Sequence, residues 1–196
     1  MKQVLVIHGG NSYSSRQKYL QELKAAELKY ERLLYSPSWK LWLIDEMPDA
    51  DILLPHMPNR DNAVYDEWVI WFEKILPFLE DDVRLVGHSL GAMFLAKYLQ
   101  TNRFDNPVAQ LHLVAGGYDD NSNEDCGSFL IESATNVAKS ANETHLWHSQ
   151  DDPIVAFHEL AKFESDLPQA RSHVFTDRGH FWQATFPELL DVLKQK

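Results

Sequence analysis

Gly87-His88-Ser89-Leu90-Gly91 sets a serine between two glycines, each two residues away. A nucleophile carried on a sharp strand-to-helix turn needs small flanking residues, because the backbone folds tightly back on itself. Such a turn exposes the serine oxygen at the start of the next helix, where backbone N–H groups point outward. A serine hydroxyl at its ordinary pKa is a weak nucleophile, so it needs a base and a group that orients the base. Downstream, acid first and histidine second, lie Asp151-Asp152-Pro153-Ile154-Val155 and Asp177-Arg178-Gly179-His180-Phe181. The chemistry this set suits is acyl transfer. Ser89 attacks a carbonyl, His180 takes its proton, and an aspartate fixes the imidazole and supports its positive form. Two fixed N–H donors must also meet the oxyanion. One is the N–H of Leu90, next after the serine. The other is expected from His8-Gly9-Gly10, with Gly10 the best choice because glycine lets backbone approach a substrate closely.

Asp151 and Asp152 compete for the acid. Pro153 restricts the residue before it to extended or turn-like backbone, which pre-sets the direction of Asp152. Ile154 and Val155 are expected to begin a helix, with Asp152 near its N-cap. That argument cuts both ways, since a capping Asp152 could leave Asp151 to orient the histidine. His8 is expected to hold its loop by hydrogen bonds, and His88 to pack. Asn11 and Ser12 suit either the pocket wall or loop capping.

The elements that must carry these residues are short buried strands alternating with helices. Strands are expected at Val4–Ile7, Ile52–Leu54, Val83–Val86, Val108–Ala115, Thr144–Trp147 and His173–Phe175. Helices are expected at Arg16–Leu34, Ala63–Leu79, Ala92–Gln100, Ile154–Ser165 and Pro187–Lys194, with a short one over Trp39–Ile44. Val64, Trp68, Trp71, Phe72, Ile75 and Leu79 recur at helical spacing and read as a core-facing stripe. The pattern predicts an α/β fold: a mostly parallel central sheet flanked by helices on both faces. Each chemical residue then sits just past a strand, where open parallel sheets bind ligands.

The chain has 196 residues and a formal net charge of −11, with 44% hydrophobic residues. This length and composition suit one globular domain, 1–196. The acidic balance and the lack of a Lys/Arg cluster argue against nucleic acid and against anionic membrane surfaces. No apolar run is long enough to span a bilayer, and Val4–Ile7 is too short for a signal-peptide core. Cys126 alone closes no intrachain disulfide, so a reducing, cytoplasmic setting is the simpler expectation. No cofactor is called for. His145 and His148 fall on opposite faces of a strand, which argues against a shared metal. Asp119, Asn121, Asn123 and Asp125 resemble a calcium loop only faintly, because Glu124 stands where its glycine should be.

Five segments together resemble the small α/β-hydrolases that include the retinoblastoma-binding-protein-type serine hydrolases. They are Val4–Ser12, Met57-Pro58-Asn59 with Glu67-Trp68, Leu85–Ala92, Asp151–Val155 and Asp177–Phe181. The resemblance implies a compact α/β-hydrolase fold, with no large cap domain expected, a Ser89–Asp152–His180 triad, and hydrolysis of an ester or amide bond. A serine nucleophile suits esters, thioesters or amides, cleaved through an acyl-enzyme. In related hydrolases the acid commonly stands just before a proline and an apolar pair, as Asp152 does. The segment Trp39–Ile44 is extra to the usual pattern. The rival reading is a non-catalytic binding protein on the same scaffold. The polar stretch Tyr118–Ser128 offers no amphipathic cover, so small, water-soluble acyl substrates are expected. The resemblance leaves the substrate and the oligomeric state open.

Overall fold

The computed structural model describes residues 2–119 and 125–195. Six strands form one sheet: β1 (Lys2–Ile7), β2 (Ala50–Leu53), β3 (Arg84–His88), β4 (Val108–Val114), β5 (Ala141–Ser149) and β6 (Arg171–Phe175). Their order is β2-β1-β3-β4-β5-β6, and every pairing is parallel. The chain leaves β1 for β2 on one side, then returns to lay β3 on the other side and continues outward. The loops after β1 and β3 therefore diverge, which opens a crevice at the carboxyl ends of these strands. Register keeps those ends level, with Ile7 beside Gly87.

Helices are α1 (Arg16–Ala25), α2 (Trp39–Glu46), α3 (Tyr65–Ile75), α4 (Leu90–Thr101), α5 (Glu159–Asp166) and α6 (Pro187–Leu193). Successive strand residues point to opposite faces. Leu5, Ile7, Leu85, Leu111 and Leu146 therefore pack with Trp68 and Phe72 of α3, Phe94 of α4 and Phe163 of α5. Val4, Val6, Val86, Val114 and Trp147 pack on the other face, with Trp39 and Leu43 of α2 and Leu189 and Leu193 of α6. With both faces covered, the central strands carry near-continuous apolar runs such as Val4–Ile7 in β1, whereas the edge strands β2 and β6 are more exposed. Helix α4 is buried nearly all round, which fixes the backbone just past β3. Among the described residues no inserted domain covers the carboxyl edge of the sheet, and no helix is long and apolar enough to cross a membrane.

Three helices differ from expectation. The helix expected over Arg16–Leu34 stops at Ala25, and only a 3-10 turn, Tyr30–Leu33, follows. Helix α1 buries no residue, and Leu20, Leu23 and Leu28 are exposed, so no packing supports a longer helix. The helix expected over Ala63–Leu79 spans Tyr65–Ile75 and tightens into a 3-10 turn around Pro77. Trp68 and Phe72 are its buried residues, while Val64 and Trp71 are exposed. The helix expected from Ile154 begins at Glu159.

Candidate active site

Strand β3 runs through His88 and the chain then turns at Ser89, whose φ is 56° and ψ −122°. A non-glycine residue held there costs about 1–3 kcal/mol and persists only when its surroundings fix it. Here Ser89 N–H donates to the Val114 carbonyl at 2.8 Å, and the Ser89 carbonyl accepts from Ala92 N–H at 2.9 Å. The glycines work by close approach. A Cβ on Gly87 would stand 2.6 Å from the Ala92 Cα, and one on Gly91 would stand 2.7 Å from the His8 carbonyl oxygen. Gly87 lets α4 fold over β3, and Gly91 lets it pass against the loop after β1.

The adjacent aspartates divide their partners. Asp152 is buried. Its Oδ2 accepts from His180 Nδ1 at 2.8 Å. Its Oδ1 accepts from the N–H of Ile154 at 2.8 Å and of Val155 at 3.0 Å. Those two bonds cap the bend at 153–155, and the helix itself starts later, at Glu159. Capping and imidazole contact thus coexist on one carboxylate. Asp151 is exposed, and its Oδ1 accepts from Ser149 Oγ at 2.5 Å and from Gly179 N–H at 2.9 Å. It ties the loops after β5 and β6 together without touching the imidazole. Hydrogen bonding to Ser149 and Gly179 holds the Asp151 pKa below the usual carboxylate value. With Nδ1 donating to Asp152, His180 keeps Nε2 as its acceptor nitrogen.

Ser89 and His180 line one cavity of about 440 Å³. Gly10, Asn11 and Leu90 line it too, with Met93, Ile154 and Val155 as apolar wall. Behind the loop after β1, His8 Nε2 accepts from Met57 N–H at 2.9 Å and Nδ1 donates to the Gly9 carbonyl at 2.6 Å. Asn11 N–H donates to the Arg60 carbonyl, and Ser12 Oγ, buried outside the cavity, donates to the Ala63 carbonyl. A side chain at Gly10 would run into the Arg60 carbonyl.

The segment Trp39–Ile44 opens α2 and holds the His180 loop. Trp39 is buried, its Nε1 donates to the Phe181 carbonyl at 3.0 Å, and its N–H donates to the Gln183 carbonyl at 3.2 Å. His88 Nε2 donates to the His180 carbonyl at 2.9 Å, and Lys40 Nζ donates to His88 Nδ1 at 3.3 Å. Burial first, then the charge of Lys40, pushes the His88 pKa well below its ordinary value, so this imidazole stays neutral. Lys40, Arg60 and the exposed Trp182 line the cavity as well. Sequence reasoning missed all three. One signal was present for Lys40: it is the only charged residue in the apolar run Trp39–Ile44.

His145 and His148 do fall on opposite sides of the sheet. His145 Nδ1 lies 3.0 Å from His173 Nε2 and its ring stacks on His112, whereas His148 Nε2 donates to the Val155 carbonyl. Among the described residues no group of three or more His, Cys, Asp or Glu could hold a metal. Asn121, Asn123 and Glu124 lie outside the described residues. Asp119 pairs with Lys162, and Asp125 with Lys18.

A parallel sheet with this crevice and a serine on a strained strand-to-helix turn defines an α/β-hydrolase. The same fold is seen in the ydeN gene product of B. subtilis, at TM-score 0.78 and 21% identity, covering 98% of this chain and 97% of that one. It is also seen in a YdeN-like hydrolase of Pectobacterium atrosepticum, at TM-score 0.68 and 16% identity, covering 99% and 90%. In sequence the chain is 28% identical over 169 residues to rat (Rattus norvegicus) serine hydrolase RBBP9, covering 80% of this chain and 84% of that protein. Residues 36–192 match the serine hydrolase family, and the chain belongs to it.

Proposed function

We propose that this hydrolase cleaves small ester, thioester or amide substrates through Ser89, His180 and Asp152, by way of an acyl-enzyme, and that residues 1–196 act as one catalytic domain. The observation that carries the reading is the joint placement of Ser89 and His180 on one cavity, with His180 Nδ1 tied to the buried Asp152. His180 Nε2 accepts the Ser89 proton as Oγ bonds to the substrate carbonyl carbon. The carbonyl oxygen takes the negative charge and meets the N–H groups of Gly10 and Leu90. Such donors are each worth about 10²–10³ in rate when they fit the transition state. His180 then gives its proton to the leaving group as the old bond breaks. Water repeats the sequence, with His180 again as base, and releases the acid and free Ser89. Asp152 supports the imidazolium in each step. The cavity volume suits small substrates.

The test is labelling by a fluorophosphonate probe together with hydrolysis of 4-nitrophenyl acetate. Wild type is expected to take up one probe per chain at Ser89, and Ser89→Ala to lose both labelling and turnover with its thermal melt preserved. Labelling elsewhere, or full activity in Ser89→Ala, would overturn the reading.

A further inference from the structure

In a chain of net charge −11, the cavity wall carries the opposite sign. Lys40 and Arg60 line it, and Asp61 is its only carboxylate residue among those described. Asp61 does little to offset them, since it meets Arg60 at 3.8 Å with both side chains mostly exposed, 61% for Arg60 and 76% for Asp61. The half-buried Lys40 is the more telling group. Its ammonium contacts His88 Nδ1 and the ring of Trp39, 4.5 Å away, and both are neutral. No carboxylate of the described residues lies within 4.0 Å of it. Withdrawing a charge from water without a counter-charge costs free energy. Burial, with the nearby charge of Arg60, accordingly pulls the Lys40 pKa down to about 8. An ammonium has three donors, and His88 uses one. The rest of the cation is available to something that enters the cavity.

Resting on the hydrolase reading above, we infer that Lys40 and Arg60 form an anion-recognising wall, and that the preferred substrates carry a carboxylate in addition to the bond that is cut. Arg60 adjoins the oxyanion loop through its carbonyl, which accepts from Asn11 N–H at 2.8 Å. Lys40 adjoins the His180 loop through His88. The two cations thus come from different elements and line the same cavity as Ser89 and His180, so an acid carried by a substrate in that cavity shares it with both.

The experiment compares matched pairs that differ in one charge. 4-Nitrophenyl hydrogen succinate against its methyl ester places the charge on the acyl side. 4-Acetoxybenzoate against its methyl ester places it on the leaving group. Wild type is expected to favour the acid in at least one pair by about tenfold or more in kcat/KM, the scale of one charge-assisted hydrogen bond. Lys40→Met is expected to collapse that ratio, Arg60→Gln to lower it, and Lys40→Arg to keep most of it. Lys24→Met, which removes a cation from α1 away from the cavity, is expected to leave the ratio alone. Preference for the neutral ester in both pairs would overturn the inference. So would an equal loss on both members of a pair in Lys40→Met, since a role through His88 and the His180 loop alone cannot tell the two apart. Calorimetry on Ser89→Ala with the succinate mono-4-nitroanilide and its methyl ester reads the same wall without turnover. Tighter binding of the acid, lost in Lys40→Met, supports the inference even if the hydrolase reading fails. Equal binding of the two overturns it even if that reading stands.

Discussion

Asp152→Asn tests the proposed triad where its geometry is most constrained. Asp152 Oδ1 accepts two backbone N–H groups, from Ile154 and Val155, while Oδ2 faces His180 Nδ1. An asparagine has one acceptor oxygen and one NH2. Keeping the two backbone bonds requires the oxygen to stay at Ile154 and Val155, which turns the NH2 toward His180. An NH2 cannot accept from Nδ1–H, so the imidazole must adopt the other tautomer. Its proton then lies on Nε2, where it can no longer accept from Ser89. Loss of the correct tautomer in a serine triad lowers turnover by about 10⁴, or about 5.4 kcal/mol of barrier at 1.36 per factor of ten. Stability should change little, because the backbone bonds survive. Asp152→Ala, in contrast, strands the Ile154 and Val155 N–H groups at about 1–3 kcal/mol each where they are fully desolvated. Asp151→Asn keeps an acceptor for Ser149 and Gly179 and should cost less than tenfold. The assay is kcat/KM on 4-nitrophenyl acetate beside a thermal melt of each variant. A larger loss in Asp151→Asn than in Asp152→Asn, with both folded, would refute the assignment of the acid.

Gly87→Ala should unfold the turn or strongly destabilise the protein, because its Cβ meets the backbone of Gly91 and Ala92; a melt within a degree of wild type would contradict the packing argument. Six histidines, His8, His88, His112, His145, His148 and His173, have pKa values lowered chiefly by burial, that of His173 to about 4. The unfolded chain therefore binds more protons below about pH 6.5, and stability should fall as pH drops from there, with the buried His88 and His112 contributing to the loss. Chemical denaturation at pH 7.5 and 5 measures this, and equal stability at the two would contradict it. Charge selectivity should have its own pH dependence. Lys40 faces Arg60, His8 and His88 and loses its charge above about pH 8. The acid-to-neutral ratio of kcat/KM for the matched esters should decline there, and a ratio constant from pH 7 to 9.5 would exclude Lys40 as its source.

What the sequence discloses about this site is local. Gly87, Ser89 and Gly91 constrain one another across a single turn, so a five-residue pattern is enough to find it. Pro153 acts on its immediate neighbour, and the orientation of Asp152 is readable for that reason. The central strands are legible because burial on both faces leaves apolar runs such as Val4–Ile7, whereas the edge strand β6 is largely exposed. The extent of α1 is not, since a helix without a packing face ends where support ends, and sequence does not list the absent partner. Asp152 capping a turn rather than a helix was also hidden, because both uses place an aspartate ahead of the same apolar pair. Lys40 and His88 stand 48 residues apart, and their contact exists only once α2 lies against the end of β3. Short motifs therefore point to Ser89, Asp152 and His180 as the proposed triad, whereas the cations of the cavity wall emerge only from tertiary packing.

The His180 loop shows how such packing substitutes for local order. Phe181 has φ 55°, a second non-glycine residue in the left-handed region beside the site. Within the loop, Phe181 N–H donates to the Arg178 carbonyl at 3.0 Å. Further constraints come from three other segments: Asp151 and Asp152 after β5, His88 at the end of β3, and Trp39 at the start of α2. Each grips a different atom: the Gly179 N–H, the His180 imidazole, the His180 carbonyl and the Phe181 carbonyl. Trp39 and Lys40 are consecutive, so the helix that fixes the loop also delivers the ammonium to the cavity. A shift of α2 would thus loosen the position of His180 and move the cation together. That coupling gives this segment a physical reason to be rigid, with Trp39 and Leu43 fully buried at its base.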